Sequence, residues 1–212
     1  MKHLVVTGGT GGLGSAIATE FQSAGWLVDA PGSTDLDVTD ADAVTRYFDR
    51  RPVDLLVCAA GMTSDGPMLR QTADAWDTTM AVNFSGARIC AQATLPGMIS
   101  RGAGHILFIS SHSAIHPPEG QVAYATAKAA LLGLTRDLSA EYGSAGIRVN
   151  AILPGFLETR MTSQVTASRR AEVLAAHHLK RFNTPQAVAS FVRCLEENLP
   201  HTSGQVFQLD SR

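Results

Sequence analysis

The sequence predicts a doubly wound parallel α/β sheet, and three observations carry that reading. Short apolar runs of strand length alternate with longer segments of helical period. The runs are mostly apolar on both faces, as strands covered by helices on two sides must be. The residues with chemical character gather just after the runs, at Thr7-Gly14, Cys58-Gly61, Ser110-Ser113 and Pro154-Thr159. That is where sheets of this kind bind ligands, beyond the carboxyl ends of their strands.

Leu4-Thr7 is the first strand, and a glycine-rich turn leads from it into a helix over Ser15-Ala24. Leu27-Ala30 follows as the second strand. A helix over Ala41-Asp49 has Thr39 or Asp40 placed to cap its first turn. Leu55-Ala59 and His105-Ser110 are strands on either side of a long helix, Ala75-Met98. The helix over Ala123-Tyr142 meets a terminating Gly143, and Arg148-Leu153 is the fifth strand. Pro185 stands behind Thr184 as a first-turn proline behind an N-cap threonine, opening a helix to Leu199. Gln205-Leu209 is the last strand. No Pro/Gly/Ser-rich linker divides residues 1–212, so one domain is expected.

Composition narrows the function classes. A chain of 212 residues buries about 70% of its unfolded surface without a metal or disulfide staple. A 45% hydrophobic content excludes intrinsic disorder. A net charge of -2 argues against nucleic acid or an anionic membrane as partner. No apolar run approaches the roughly 18 residues of a membrane span, and the start turns glycine-rich too early for a signal peptide. Cys58, Cys90 and Cys194 are widely spaced, which fits neither a zinc ribbon nor a disulfide framework. A cytoplasmic location is expected. No His, Asp or Glu cluster has metal-ligand spacing; His177 and His178 are adjacent and point to different helix faces.

The turn Thr7-Gly8-Gly9-Thr10-Gly11-Gly12-Leu13-Gly14 can bring a diphosphate against a helix N-terminus, where free N–H groups and the dipole favour negative charge. A triphosphate loop is excluded, because Ser15-Ala16 follows where Lys and Ser/Thr are needed. Tyr124 and Lys128 are one helical turn apart on the same face. An ammonium beside a phenol favours the phenolate and so lowers the tyrosine toward neutrality. Ser111, at a strand end, is either a turn residue or a donor to a substrate oxygen.

Together, Thr7-Gly8-x-x-x-Gly12-x-Gly14, Asn83, Ser111, Tyr124-x-x-x-Lys128 and Pro154-Gly155 resemble the short-chain dehydrogenase/reductase (SDR) family over nearly the whole chain. Within it the chain is most similar to β-ketoacyl-(acyl carrier protein) reductases. The stretches from Gly104 to Ser111, Ile147 to Thr159 and Thr202 to Gln205 carry that likeness. The resemblance implies a Rossmann-like sheet of seven strands in order 3-2-1-4-5-6-7 and a nicotinamide dinucleotide. It implies that Tyr124 donates a proton to a carbonyl oxygen held by Ser111. Lys128 lowers the tyrosine and bonds the nicotinamide ribose, and Asn83 holds a water that links Lys128 to solvent. Thr7, Gly8, Thr10, Gly12, Leu13, Gly14, Ala60, Gly61, Pro154 and Gly155 line the dinucleotide. Thr159 meets its carboxamide, while Asp37 and Val38 meet the adenine. A homotetramer or homodimer is implied as well.

The sequence departs from the family in two places. Cys58-Ala59 replaces a pair of asparagines, and Cys58 reads as a small buried hydrophobe. Between the second and third strands, Pro31-Gly32-Ser33-Thr34 leads straight to Asp35, which leaves no room for the usual helix. Neither Arg nor Lys lies between Trp26 and Thr45. Ser33 and Thr34 can accommodate a 2′-phosphate, whereas Asp35 can bond a ribose diol. The reductase likeness slightly favours NADP(H) over NAD(H).

The segment from Phe156 to Asn183 resembles the family's substrate-covering region, and its apolar residues suit an acyl chain. His112 and Phe156 are candidate substrate contacts. Arg101 and Arg170 are candidates for docking an acidic acyl carrier protein. The expected activity is NAD(P)H-dependent reduction of a 3-oxoacyl thioester, in fatty-acid or polyketide assembly. Oxidoreduction of a small alcohol, sugar or cyclic ketone is the alternative, and a catalytically idle dinucleotide-binding regulator is a third.

Overall fold

The computed structural model describes all residues, Met1–Arg212. Its strands are β1 (His3–Thr7), β2 (Leu27–Asp29), β3 (Leu55–Cys58), β4 (Gly104–Ile109), β5 (Ile147–Leu153) and β6 (Val206–Gln208). They form one six-stranded sheet in the order β2-β1-β3-β4-β5-β6, and every pairing is parallel. The helices are α1 (Gly12–Ser23), α2 (Ala41–Phe48), α3 (Ala73–Met80), α4 (Gly86–Arg101), α5 (Val122–Tyr142), α6 (Ala167–Ala176) and α7 (Pro185–Asn198). No helix is long and apolar enough to cross a membrane.

The two-residue repeat of a strand sorts its side chains onto opposite faces. Leu4, Val6, Leu55, Val57, Leu107 and Ile152 pack with Ile17 and Phe21 of α1 and Val188, Val192 and Leu195 of α7. Val5, Leu56, Cys58, Ile106, Phe108 and Val149 pack on the other face with Val44 and Phe48 of α2, Cys90 and Met98 of α4, and Leu131 of α5. This double burial explains why the strands read as nearly continuous apolar runs.

The six strands read from the residues are all present, but the seventh implied by the resemblance is not. After β2 the amides of Asp35 and Leu36 both turn back onto the Gly32 carbonyl, at 3.1 and 2.9 Å. Leu36 and Val38 then insert singly into the core beneath α2 and α4. Without a covering helix the segment has no reason to extend, and β2 is left as the edge. The predicted long helix Ala75-Met98 is also divided: a π-helical turn over Ala81–Ser85 separates α3 from α4, which runs on to Arg101. Predicted caps form where expected. Asp40 accepts from Ala43 N at 2.9 Å, and Thr184 accepts from Ala187 N at 3.1 Å ahead of Pro185.

Candidate active site

The glycine-rich turn is shaped by backbone contacts that exclude side chains. Gly8 has φ +68°, and a Cβ there would lie 2.8 Å from the Ala60 backbone; one at Gly14 would lie 2.4 Å from the Gly8 carbonyl oxygen. Close packing of β1, the β3–α3 loop and the head of α1 therefore requires glycine at both positions. Helix α1 starts from Gly11 with no side-chain cap. The amides of Gly12, Leu13 and Gly14 donate to nothing within the chain, as first-turn amides do when they face a ligand. Thr159 closes the far wall, its Cγ2 2.8 Å from where a Gly12 Cβ would stand. Thr7 joins the same wall, its hydroxyl accepting from Ala60 N at 3.4 Å. A narrow cradle with three free amides and almost no side chains on its floor suits a dinucleotide diphosphate.

The Asn83, Ser111, Tyr124 and Lys128 side chains assemble at the inner end of this cradle. Ser111 is extended at the end of β4, and its hydroxyl accepts from Ser113 N at 3.1 Å. Tyr124, near the start of α5, has its hydroxyl close enough to Ser111 for that side chain to favour the phenolate. Lys128, one turn on, is buried; its Nζ donates to the Ile109 carbonyl at 2.9 Å and lies 5.7 Å from the Tyr124 ring centroid. A Cβ at Gly61 would lie 2.9 Å from Asn83 Oδ1 and 3.5 Å from Lys128 Nζ. The backbone of Gly61 thus occupies the space between these two side chains.

The π-helical turn explains how Asn83 is held. By interrupting the α ladder it leaves the Thr79 carbonyl for the Asn83 amide, at 2.9 Å. The same Nδ2 donates to Met62 O at 2.8 Å, and Oδ1 accepts from Met62 N at 3.2 Å. The Asn83 side chain is therefore committed to Thr79 and to Met62 in the loop after β3.

The ionisation of the pair differs from the expectation. Burial pushes the Tyr124 phenol above its usual value; the Ser111 hydrogen bond opposes the rise and the Asp65 charge adds to it. Lys128 does not offset this, because its ammonium is drawn to Ile109. Burial lowers Lys128 itself to about 8, against a partial rise from Cys58. The phenol is protonated at neutral pH, which is the form a proton donor needs.

The adenosine side is less fully equipped. Asp37 is exposed and turned onto Thr39, with Oδ1 2.9 Å from the amide and 2.7 Å from the hydroxyl. Val38 is not free to pack on a ring, since it is buried against Gly86. Asp35 Oδ2 accepts from Gly32 N at 3.0 Å, and Thr10 packs against Gly32. Cys58 is buried, with its thiol 3.7 Å from the Ala87 carbonyl. Burial pushes that thiol well above its ordinary range, which makes it a packing residue.

Of the remaining candidates, Phe156 stacks on Phe182 at 4.6 Å beside Pro154 and Gly155. His112 follows Ser111; burial and then the Arg212 charge hold its imidazole below the ordinary value. Arg101 and Arg170 do not form one patch within the chain. Arg101 ends α4 and donates to the Val53 carbonyl at 2.5 Å, at the amino-terminal end of the strands. Arg170 lies in α6 on the carboxyl side, ion-paired to Glu158 and 5.4 Å from the Phe182 ring centroid. Sequence reasoning missed the Met62 clamp on Asn83, the chain from Ser113 through Gln121 to Asp65, and the Asp210 cluster around His112. Each joins residues far apart in sequence, with no motif spacing to reveal it.

Comparison with known proteins agrees with this geometry. A sequence profile described as enoyl-(acyl carrier protein) reductase matches residues 16–211. The chain is 31% identical to the 3-oxoacyl-(acyl-carrier-protein) reductase FabG of Thermotoga maritima, over 99% of this chain and 96% of that one. It is 32% identical to the MabA reductase of Mycobacterium bovis, named for the same reaction, covering 99% and 91%. It is 31% identical to a (3R)-3-hydroxyacyl-CoA dehydrogenase of Canis lupus familiaris, covering 90% and 87%. Among solved structures, a protein assigned as an NAD(P)-dependent gluconate 5-dehydrogenase from Beutenbergia cavernae, with NADP at low occupancy, superposes with a TM-score of 0.91. It is 26% identical, over 99% of this chain and 95% of the other. With the profile covering most of its length, the chain belongs to the short-chain dehydrogenase/reductase family, oxidoreductases acting on CH–OH and C=O groups.

Proposed function

We propose that the chain is a single-domain, cytoplasmic ketoreductase that reduces a 3-oxoacyl thioester carried on an acyl carrier protein. The observation that carries this reading is the Ser111–Tyr124–Lys128 cluster, braced by Asn83, at the inner end of the glycine cradle. A bound nicotinamide dinucleotide supplies hydride to the carbonyl carbon. Ser111 holds the carbonyl oxygen, and Tyr124 donates its phenolic proton as charge develops there. Lys128, one turn from Tyr124 and anchored on the Ile109 carbonyl, would bond the ribose of the dinucleotide. Nothing in mere dinucleotide binding requires this proton-donating set, which weighs against an idle regulator.

Carrier docking is supported by charge. The segment 156–183 holds Arg160, Arg169, Arg170, Lys180 and Arg181 against only Glu158 and Glu172, on a chain whose net charge is -2. With Arg169 paired to Glu172 and Arg170 to Glu158, the charge of Arg160, Lys180 and Arg181 is left in excess and would steer an acidic carrier. For the coenzyme we favour NADPH, in line with the NADP bound in the neighbouring structure, but with small discrimination. Arg51, beside the end of β2, is already ion-paired to Asp29, so little charge is left to pair with a 2′-phosphate and the kcat/KM ratio over NADH is expected to stay below about tenfold.

The assay that tests the function offers acetoacetyl thioester, free and carrier-bound, alongside polyols and cyclic ketones. Faster turnover of the carrier-bound thioester is expected. Turnover of polyols alone would overturn the substrate assignment in favour of the sugar-type reading that the gluconate neighbour represents.

Lys128 also sets a stability expectation. Burying its ammonium lowers it from 10.5 to about 8, a penalty of roughly 3 kcal/mol at neutral pH. Lys128→Met removes the penalty and forfeits one hydrogen bond worth about 1 kcal/mol. The variant is expected to be inactive yet more stable by about 2 kcal/mol at pH 7 in urea unfolding. Because the folded value lies below the unfolded one, the penalty is full below about 8 and gone above 10.5, where only the lost hydrogen bond remains and the variant is the less stable.

A further inference from the structure

Residues Leu209–Arg212, just after β6, fold back across both ends of the segment that, on the proposed function, covers the substrate. Asn183 Nδ2 donates to Leu209 O and to Pro154 O, each at 2.9 Å. Ser211 O accepts from His178 N at 2.9 Å, and Ser211 Oγ accepts from Leu179 N at 3.2 Å. Between these bonds lies Asp210, whose side chain is wholly buried. Its carboxylate accepts from Gln208 Nε2 at 2.7 Å and from Arg212 Nε at 2.6 Å. Its Cβ lies 2.6 Å from where a Gly155 Cβ would stand, and Gly155 has φ +81°. The carboxylate is therefore seated directly against the Pro154–Gly155 turn.

His177, at the end of α6, faces Asp210 from the covering segment and is 1% exposed. Its Nδ1 lies 2.7 Å from the Val173 carbonyl. A carbonyl only accepts, so Nδ1 carries a proton. The other nitrogen, Nε2, is buried with no hydrogen-bond partner and lies 3.9 Å from Asp210 Oδ2. That is about 1 Å beyond a hydrogen bond, and a buried polar atom without a partner is costly. A small inward movement of α6, with a proton between the two atoms, satisfies both. The other charged or titratable groups around the pair are Arg212 beside the carboxylate, and His112, next in sequence to Ser111, whose imidazole feels Asp210, Arg212 and His177. The ring of Phe182 meets His177 edge-on at 5.6 Å and lies below Arg170.

We propose that Asp210 is a positioning residue that latches the covering segment, through His177, to the Gly155 turn, so that the substrate pocket forms when the contact closes. The inference rests on the proposed function only in naming what the segment covers; the latch is a physical contact that can be read without turnover.

The test compares Asp210→Asn, His177→Phe and the double variant with the parent protein. Each single variant is expected to raise the substrate KM by about tenfold and lower kcat less than about threefold. The dinucleotide Kd should stay within about twofold. The double variant should be no worse than the weaker single, because both remove one contact. Amide hydrogen exchange over residues 160–182 should accelerate by about tenfold in each. Additive KM effects, an equal loss of dinucleotide affinity, or unchanged exchange would overturn the proposal. If Asp210→Asn does not fold, His177→Phe carries the test, since a phenyl ring keeps the imidazole's packing against Phe182. If no ketone is reduced the proposed function fails, and the exchange measurement still decides the latch.

Discussion

Tyr124→Phe is expected to lower kcat for carbonyl reduction by about 10²–10⁴-fold while leaving dinucleotide affinity within about twofold of the parent. The substitution removes one oxygen and keeps the ring, so the packing of α5 beside Lys128 is unchanged. What disappears is the proton that the proposed mechanism delivers to the carbonyl oxygen. The phenol is half-buried beside Ser111 and held above its ordinary value by desolvation, so it is fully protonated at neutral pH. Ser111 can hold the carbonyl oxygen but is a poor acid. Lys128 is directed to the Ile109 carbonyl. The measurement is paired: single-turnover reduction on one side, dinucleotide titration by fluorescence on the other. Retained turnover would show that the proton comes from elsewhere, and a parallel loss of affinity would mean that the phenol builds the cradle rather than the chemistry.

Glu196→Gln is expected to destabilise the fold by about 3–5 kcal/mol without changing kcat at temperatures where the variant remains folded. Glu196 projects from α7 to the amino-terminal end of the sheet, opposite the catalytic cluster. It accepts from Lys2 Nζ at 3.1 Å and His105 Nδ1 at 3.0 Å and is ion-paired to Arg148. Asn150 Nδ2 lies 3.0 Å from His105 Nε2. An amide N–H only donates, so the network selects the neutral imidazole with its proton on Nδ1. Glutamine keeps the shape but leaves Arg148 without its counter-charge. A fall in the urea midpoint at unchanged m-value is the expected signature.

The same cluster sets the response to acid. Burial alone would raise the Glu196 carboxyl, but the His105 hydrogen bond, the charges around it and Lys2 hold it below the ordinary carboxylate range. Its stabilisation is therefore full above that range and is lost as pH falls through its folded value. Burial likewise lowers His105 from 6.5, partly offset by Glu196. Its contribution has the same sign: full above 6.5, lost on acidification. The parent protein should lose stability steadily below about pH 6.5, and Glu196→Gln should show a shallower slope.

Much of the site was legible in the sequence because its chemistry is local. Tyr124 and Lys128 are one helical turn apart, and the glycine turn is a single run between β1 and α1. The strands were legible because burial on both faces writes them as apolar runs. The π-helical turn at Asn83 was not legible, because it is one extra residue per turn in an otherwise helical pattern. Nor was the missing edge strand: Leu36 and Val38 alternate as strand residues do, and only the absence of a covering helix makes them single plugs in the core.

The sequence by itself thus determined the fold class and the residues that gather after the strands, since each follows from periodicity or from spacing within one element, while the family entered through the resemblance of its motifs. Tertiary structure alone decided which charges remain free and which are spent. Arg170 meets Glu158, Arg101 meets the Val53 carbonyl, Asp35 meets Gly32, and Lys128 meets Ile109 rather than the phenol. The physical reason is that ionisation and pairing depend on burial and on partners a few ångströms away. Folding brings those partners together from opposite ends of the chain, as it does with Lys2 and Glu196.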